Sequence, residues 1–263
     1  MGKAIITLTI IHEFKLDVES FLFKMCYLPS RKVIRGFMVS QALLEKAKEF
    51  HGHICPFVVL GLRASEIALE KLGLTKAGER ETVGEEILAI VECNNCFTDG
   101  VQVATGCTLG NNSLIYLDTG KNAVTIVRRR DWRGIRVYID SEKLREKYFK
   151  KEAMKLFEKV VVKREGAAED HEKLSNLWAE IGREMMNIPE SEFKIEEVKV
   201  KEIERAPIFE SVRCGMCSEL VMKTRIEYVG GKAVCLACLG KSNAVIGRGI
   251  VLNFEYPIVK KEN

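Results

Sequence analysis

From Ser40 onward the apolar residues fall at Leu43, Leu44, Ala47 and Phe50. Steps of three and four residues predict an amphipathic helix ending at the His51-Gly52-His53 turn. A second helix is predicted to start at Pro56, because proline suits the first helical position, where its missing N–H would have no partner. It runs to Leu72, with Lys71 in its last turn and Gly73 placed as its cap. Gly61, Ala64 and Ala68 recur along one side of it and would let another element approach closely. The continuous apolar run Ile87-Leu88-Ala89-Ile90-Val91 reads as a buried strand. Asp99 with Gln102 three residues on suggests the N-cap of a short helix that ends near Gly106.

After Ser113 the period changes to two. Residues 114–117, 123–127 and 135–139, separated by turn residues, predict an antiparallel meander. Two amphipathic helices should follow, 141–161 and 167–186, the second closed by Pro189. Residues 193–203 alternate as a linker or edge strand. Before Met38 the signals are thin: Ile6, Leu8 and Ile10 alternate with threonines, and Leu22 and Met25 fit a helix. This reads as an extension, 1–37, ahead of a core at 38–187, a linker or edge strand at 188–212, and a last module at 213–263.

Hydrophobic residues at 47% and charged residues at 30% describe an ordinary globular chain. A net charge of +4 from 41 basic and 37 acidic residues implies no general affinity for nucleic acid. The apolar run 4–11 is too short to span a bilayer and has no small-residue cleavage site after it. Nine cysteines, four of them in two C-x2-C pairs, suit metal ligation in a reducing cytoplasm better than a disulfide framework.

The sharper of two chemical signals is Cys214-x2-Cys217 followed by Cys235-x2-Cys238. Two knuckles with about seventeen residues between them offer four thiolates to one tetrahedral ion, normally zinc. An iron–sulfur cluster or a rubredoxin-like iron site would use the same sulfurs. A closed site of this kind stabilises and docks but leaves no position for catalysis. Lys223, Arg225 and Lys232 are too few basic residues to make a nucleic-acid face.

The other signal gathers His51, His53, Cys55, Cys93, Cys96 and Cys107, with Asp99 nearby. Imidazole and sulfur suit zinc, iron or copper(I), and an incomplete set leaves a coordination position open. Cys55 is placed at a helix start, where the unpaired N–H groups favour thiolate. The competing chemistry is a thiolate nucleophile, or a Cys93–Cys96 redox pair with His53 as base. As plain structure, Cys55 would be a small buried hydrophobe and the histidines turn residues. Arg128, Arg129, Arg130, Arg133 and Arg136 cluster around a strand turn with Trp132, either a solvated hairpin end or an anion site.

The motif His51-Gly52-His53-x-Cys55-Pro56, then Glu92, Cys96, Asp99, Gln102, Thr105-Gly106-Cys107-Thr108-x-Gly110 and Gly120-Lys121, resembles the FmdE family, named after a component of formylmethanofuran dehydrogenase. The resemblance covers residues 38–161 and, for the four-cysteine module of a subset of that family, 213–239. It implies an α+β fold, an antiparallel sheet with packed helices forming a dimeric core, followed by a small C-terminal treble-clef zinc finger. It also implies a core site of His53, Cys55, Cys96, Asp99 and Cys107, with a second metal, zinc or iron, alongside the zinc of Cys214, Cys217, Cys235 and Cys238. The family takes its name from the molybdenum or tungsten enzyme that fixes carbon dioxide onto methanofuran. By analogy this chain would be a subunit or accessory of such a complex, with Arg129 and Arg130 meeting an anionic cofactor. The rival expectation is a non-catalytic partner-binding protein. The chain departs from the pattern at Phe57, at the additional Cys93 and in its N-terminal extension.

Overall fold

A computed structural model of the chain describes residues 39–241 and the strand 258–260. The expectations for 1–37 lie outside the described residues. Helix α1, Gln41–His51, is capped by Ser40, whose hydroxyl accepts from the Leu43 N–H at 3.2 Å. It ends at Gly52 with φ of 91°, a left-handed conformation that glycine adopts without a Cβ clash. Cys55 is the N-cap of α2, Pro56–Leu72, which Gly73 closes in the same left-handed way. A short α3, Glu79–Val83, leads into β1, Ile87–Val91, buried along its whole length.

Helix α4 spans Cys96–Thr105, and its N-cap is Asn95, not Asp99. The Asn95 side chain accepts from the Phe97 N–H at 2.9 Å, which moves the helix start upstream and puts Cys96 in its first turn. Asparagine and aspartate are comparable N-caps, so the capping-box pattern at Asp99 and Gln102 was outcompeted. Beyond it come β2 (Leu114–Tyr116), β3 (Ala123–Arg128) and β4 (Arg133–Ile139).

The meander expected there is only partly present. β3 and β4 form an antiparallel hairpin, but β2 returns to lie parallel to β1, with Ala89 opposite Leu114. β3 pairs antiparallel with β1 on its other side, so β2 can reach only the outer edge. The single helix expected over 141–161 is broken into α5 (Ser141–Tyr148) and α6 (Lys151–Phe157), which runs on into a π-helical turn, Glu158–Val162. Helix α7, Ala168–Met185, matches expectation.

The segment expected as a linker or edge strand is an inner strand. β5, Phe193–Val200, pairs with β4 from Ile139–Phe193 to Arg133–Lys199. After β6 (Ser211–Arg213), β7 (Leu220–Met222), β8 (Ile226–Val229) and β9 (Lys232–Cys235), the chain returns as β10, Ile258–Lys260, on the far side of β5. The last module therefore gives a strand back to the core. The sheet order is β10-β5-β4-β3-β1-β2, and the fold is α+β, antiparallel apart from one edge.

The helices lie on one face of this sheet, where Leu44, Val58, Leu62, Ile67, Phe97 and Val101 pack on Ala89, Val124, Ile126 and Val137. Each large side chain fully buried there stabilises the fold by roughly 1.5–3 kcal/mol. Two glycines decide how α2 meets α4. A Cβ on Gly61 would lie 2.0 Å from the Phe97 carbonyl oxygen, and one on Gly100 2.1 Å from that of Val58. The two backbones touch, and this contact brings the N-terminus of each helix, with Cys55 and Cys96, to one place. Of the small residues noted along α2 in the sequence, Gly61 has this partner.

Candidate functional site

The left-handed turn at Gly52 folds His53 back beside His51, with ring centroids 4.5 Å apart. One ligand atom from each of His51, His53 and Cys55 lies within 4.8 Å of the others. His51 Nδ1 donates to Asp99 Oδ2 at 2.7 Å, which leaves Nε2 facing Cys55 Sγ at 3.8 Å. Nitrogen and sulfur on one tetrahedral zinc would stand about 3.5 Å apart. The donors therefore fit a metal without large movement. Asp99 stands behind His51 as the carboxylate that fixes ring and tautomer in metal-bound histidines, and Gln102 Nε2 donates to its other oxygen at 3.2 Å. Burial, then the neighbouring His51, hold the His53 pKa below its ordinary value, so the ring is a neutral donor.

Cys96 joins this group through Cys55. The hydrogen bond from the Cys55 thiol is the main cause that brings the Cys96 pKa down to about 6, with His51 helping against burial. The same bond, then burial, pushes the Cys55 thiol far above its ordinary range. The sequence put the thiolate at Cys55 on the strength of one helix N-terminus. The structure brings two such termini together and puts it on Cys96.

Two expected members stand elsewhere. Cys107, fully buried, follows the far end of α4 and donates to the Ile87 carbonyl at the opposite end of β1 from Cys93. Burial pushes its thiol up to about 11, as expected for a small core hydrophobe. Cys93 is also pushed up to about 11 by burial, and its thiol donates to Asn95 Oδ1 at 3.6 Å. Cys96 thus partners Cys55, and the C-x2-C pair with Cys93 is not formed.

Two cavities meet at Asn95 and Cys96. One, about 390 Å³, is bordered by His51, Cys93, Thr98, Asp99 and Gln102. The other, about 400 Å³, opens on His53, Cys55 and Cys96 and has apolar walls. Sequence reading missed this second cavity, because Phe149, Phe157 and Trp178 look like the core stripe of two ordinary helices.

The arginine cluster is engaged within the fold. Arg129 donates from Nε to the Glu85 carbonyl at 2.7 Å, from Nη1 to the Ile203 carbonyl and from Nη2 to the Glu85 carboxylate at 3.0 Å. Arg136 clamps the fully buried Glu92 through Nε at 2.6 Å and Nη2 at 3.0 Å, and also pairs with Glu196. Arg128 and Arg133 have Asp131 and Glu197. Arg130, at the hairpin end, borders a different cavity from the thiols, together with Arg80 and Arg205. Of the two arginines expected to meet an anion, Arg129 is thus taken up by bonds within the fold that spacing alone could not reveal.

At the other end of the chain, the ligand atoms of Cys214, Cys217, Cys235 and Cys238 all lie within 4.8 Å of one another. Sγ–Sγ distances of 3.9 Å, for Cys214–Cys238 and Cys217–Cys235, match the roughly 3.8 Å edge of a tetrahedral zinc–thiolate site. Backbone N–H groups of Met216, Cys235 and Cys238 point at these sulfurs at 3.3–3.4 Å, as thiolates require. The cluster could hold a metal ion, and its geometry suits zinc. The first knuckle sits in the β6–β7 hairpin, and the second joins the β8–β9 hairpin to a short helical turn, Ala237–Leu239. No helix among the described residues is long and apolar enough to cross a membrane.

Residues 50–194 match the family model described as FmdE, molybdenum formylmethanofuran dehydrogenase operon. The chain is 64% identical over 209 residues to a probable S-adenosyl-L-methionine-binding protein of Archaeoglobus fulgidus, a match taking in 80% of this chain and 56% of that one. It thus spans little more than half of that relative. In fold it is similar to an FmdE-like protein of the tungsten formylmethanofuran dehydrogenase type from Syntrophus aciditrophicus, with a TM-score of 0.51 and 24% identity over 80% of this chain and 98% of the other.

Proposed function

The chain belongs to the FmdE family, and we propose that its core binds a metal ion through His51, His53 and Cys55 and presents it, with the Cys96 thiolate, to a small molecule in the adjoining cavity. One observation carries this reading: three donors within 4.8 Å of one another, two of which, His53 and Cys55, line a cavity. Three protein ligands would leave a position for water or substrate. The metal would supply Lewis acidity there. His51, held by Asp99, sets the direction of one ligand, while Cys96 is poised as nucleophile or further donor. Zinc or iron suits the donor set, and zinc suits the four-thiolate cluster, whose role is structural.

The test is metal stoichiometry on the full chain, the Cys217→Ser/Cys238→Ser variant and His53→Ala. The expected outcome is about two ions per chain, one lost with each variant. If the double cysteine change removes all metal, the core reading fails. S-adenosyl-L-methionine, named for the Archaeoglobus fulgidus relative, is a ligand to screen against the same variants.

A second reading rests on the finger surface, where Met216, Leu220 and Tyr228 are 64%, 63% and 68% exposed. Apolar side chains this exposed favour docking a partner, either a second copy of the chain or a larger enzyme complex. Light scattering of Leu220→Glu/Tyr228→Glu addresses the first: a mass unchanged from wild type removes the finger from any homodimer contact.

A further inference from the structure

The cavity beside Cys55 and Cys96 is walled by large apolar side chains that the fold leaves half exposed. Phe57 comes from the start of α2, Phe149 from the break between α5 and α6, Met154 and Phe157 from α6, and Trp178 from α7. The Trp178 ring stands edge-on to Phe149 at 5.4 Å and tilted against Phe157 at 5.9 Å. A cluster that only closed the helical layer would fill its own volume, as protein interiors do. Here about 400 Å³ remains open between the rings, within the range of small-molecule sites.

Both departures from the helix expected over 141–161 fall on this wall. The chain leaves the helical conformation at Phe149, with φ of −88° and ψ of 127°. The π-helical turn begins directly after Phe157 and carries Val161 into the same cavity. Isolated π turns concentrate at functional sites, because one extra residue per turn re-aims the side chains around it. No glycine or proline forces either irregularity.

The third element is charge. Arg145, in the last turn of α5, lines the cavity, and its guanidinium has no ion pair or hydrogen bond among the described residues. Arg128, Arg129, Arg133 and Arg136 each have a carboxylate. Three aromatic rings around an opening could in principle cage a cation, but an unpaired guanidinium at the same opening repels one. It is suited to a carboxylate or phosphate.

We infer that this cavity binds a flat aromatic molecule bearing an anionic group, stacked on Trp178 and recognised at its anion by Arg145. The inference rests on the metal-and-thiol reading only in placing the far end of that molecule at His53, Cys55 and Cys96. It is tested on the full chain by titration calorimetry with three probes of one shape: 2-naphthoate, neutral 2-naphthalenemethanol and a naphthyl trimethylammonium. Naphthoate should bind roughly tenfold more tightly than the alcohol, and the cation most weakly. Arg145→Ala should erase the preference for naphthoate while leaving the alcohol unchanged; Trp178→Ala should weaken both. Naphthoate should also protect Cys96 from iodoacetamide, which locates the bound probe. Equal binding of naphthoate and alcohol, a preference that survives Arg145→Ala, or alkylation of Cys96 undiminished by naphthoate would each overturn the assignment. If the core holds no metal but Arg145 still selects naphthoate, the metal reading falls and this one stands. If His53→Ala loses a metal but naphthoate is not selected, the reverse holds.

Discussion

In the C-terminal module four thiols come from two tight turns, and three backbone N–H groups within those turns point at the sulfurs. The core gathers its donors from further apart: His51 from the end of α1, His53 from a glycine turn, Cys55 from the cap of α2, Cys96 and Asp99 from α4. The first arrangement is local and closed. The second is held by helix packing and borders open cavities, so the fold must keep it in place whether or not an ion is bound. What separates the two clusters is therefore less the ligand types than what positions them.

The largest expected effect lies in the module. Changing Cys235 to Ser should abolish the metal there and unfold residues 211–241, because structural zinc typically contributes about 10–16 kcal/mol to the folding of such modules. Hydrogen exchange should show those amides deprotected while β1, β3 and β4 keep their protection. Loss of protection in the central sheet as well would remove the distinction between an ion-held module and a self-supporting core.

Next in size is a change in the packing that positions the core site. Gly100→Ala would put a methyl 2.1 Å from the Val58 carbonyl oxygen and 2.8 Å from the Leu62 nitrogen, both backbone atoms that cannot rotate away. Overpacking of this kind should cost about 3 kcal/mol and separate α4 from α2. Cys96 should then lose its bond from Cys55 and with it the low pKa of about 6. Iodoacetamide labelling at pH 7, fast in the wild type, should slow in the variant. Unchanged labelling would mean that Cys96 is activated by its own helix start alone.

This contrast also decided what the sequence could reveal. The four-cysteine module was legible because its ligands are fixed by turns a few residues long. In the core, α1 and α2 were legible from Ser40, Pro56 and Gly73, since caps and periodicity act locally. The start of α4 was misplaced because Asn95 and Asp99 are both good caps and only tertiary contact chooses between them. His51 was among the residues noted, but its pairing with Asp99, 48 positions away, is a product of helix packing, as is the exclusion of Cys107. The inner position of β5 depends on β10, far downstream. The break at Phe149 has no local signal at all.

A smaller effect should come from Asp99→Asn, which keeps the shape but weakens the hold on His51. Supporting carboxylates of this kind typically alter metal affinity by roughly 10–100-fold. The expected outcome is a core metal lost more readily to a chelator, with the module's ion untouched and thermal stability nearly unchanged. If both ions are lost at wild-type rates, Asp99 is only a surface partner of His51.

The smallest effect concerns Glu66, on the same helix that Cys55 caps. Its Oε2 is buried without a hydrogen-bond partner among the described residues, a situation with no counterpart around the four thiols. Burial raises its pKa from 4.5 to about 7, with Glu70 adding to the shift and Arg63 opposing it. Between those two values the folded chain keeps a proton that the unfolded chain has released. Stability contributed at Glu66 therefore falls as pH rises from 4.5 to about 7, and the loss is complete above that. Glu66→Gln removes the charge without changing the shape. Near pH 4, below both values, the variant and the wild type should melt together. Near pH 8 the variant should be more stable by about 1 kcal/mol, after allowing for solvent screening of a partly wetted carboxyl. In a chain of this size that is a melting shift of about 2–4 °C. Identical melting at the higher pH would mean that the ionised carboxylate is compensated in the fold, and that the buried Oε2 of Glu66 is answered as fully as the sulfurs of the module are by their backbone N–H groups.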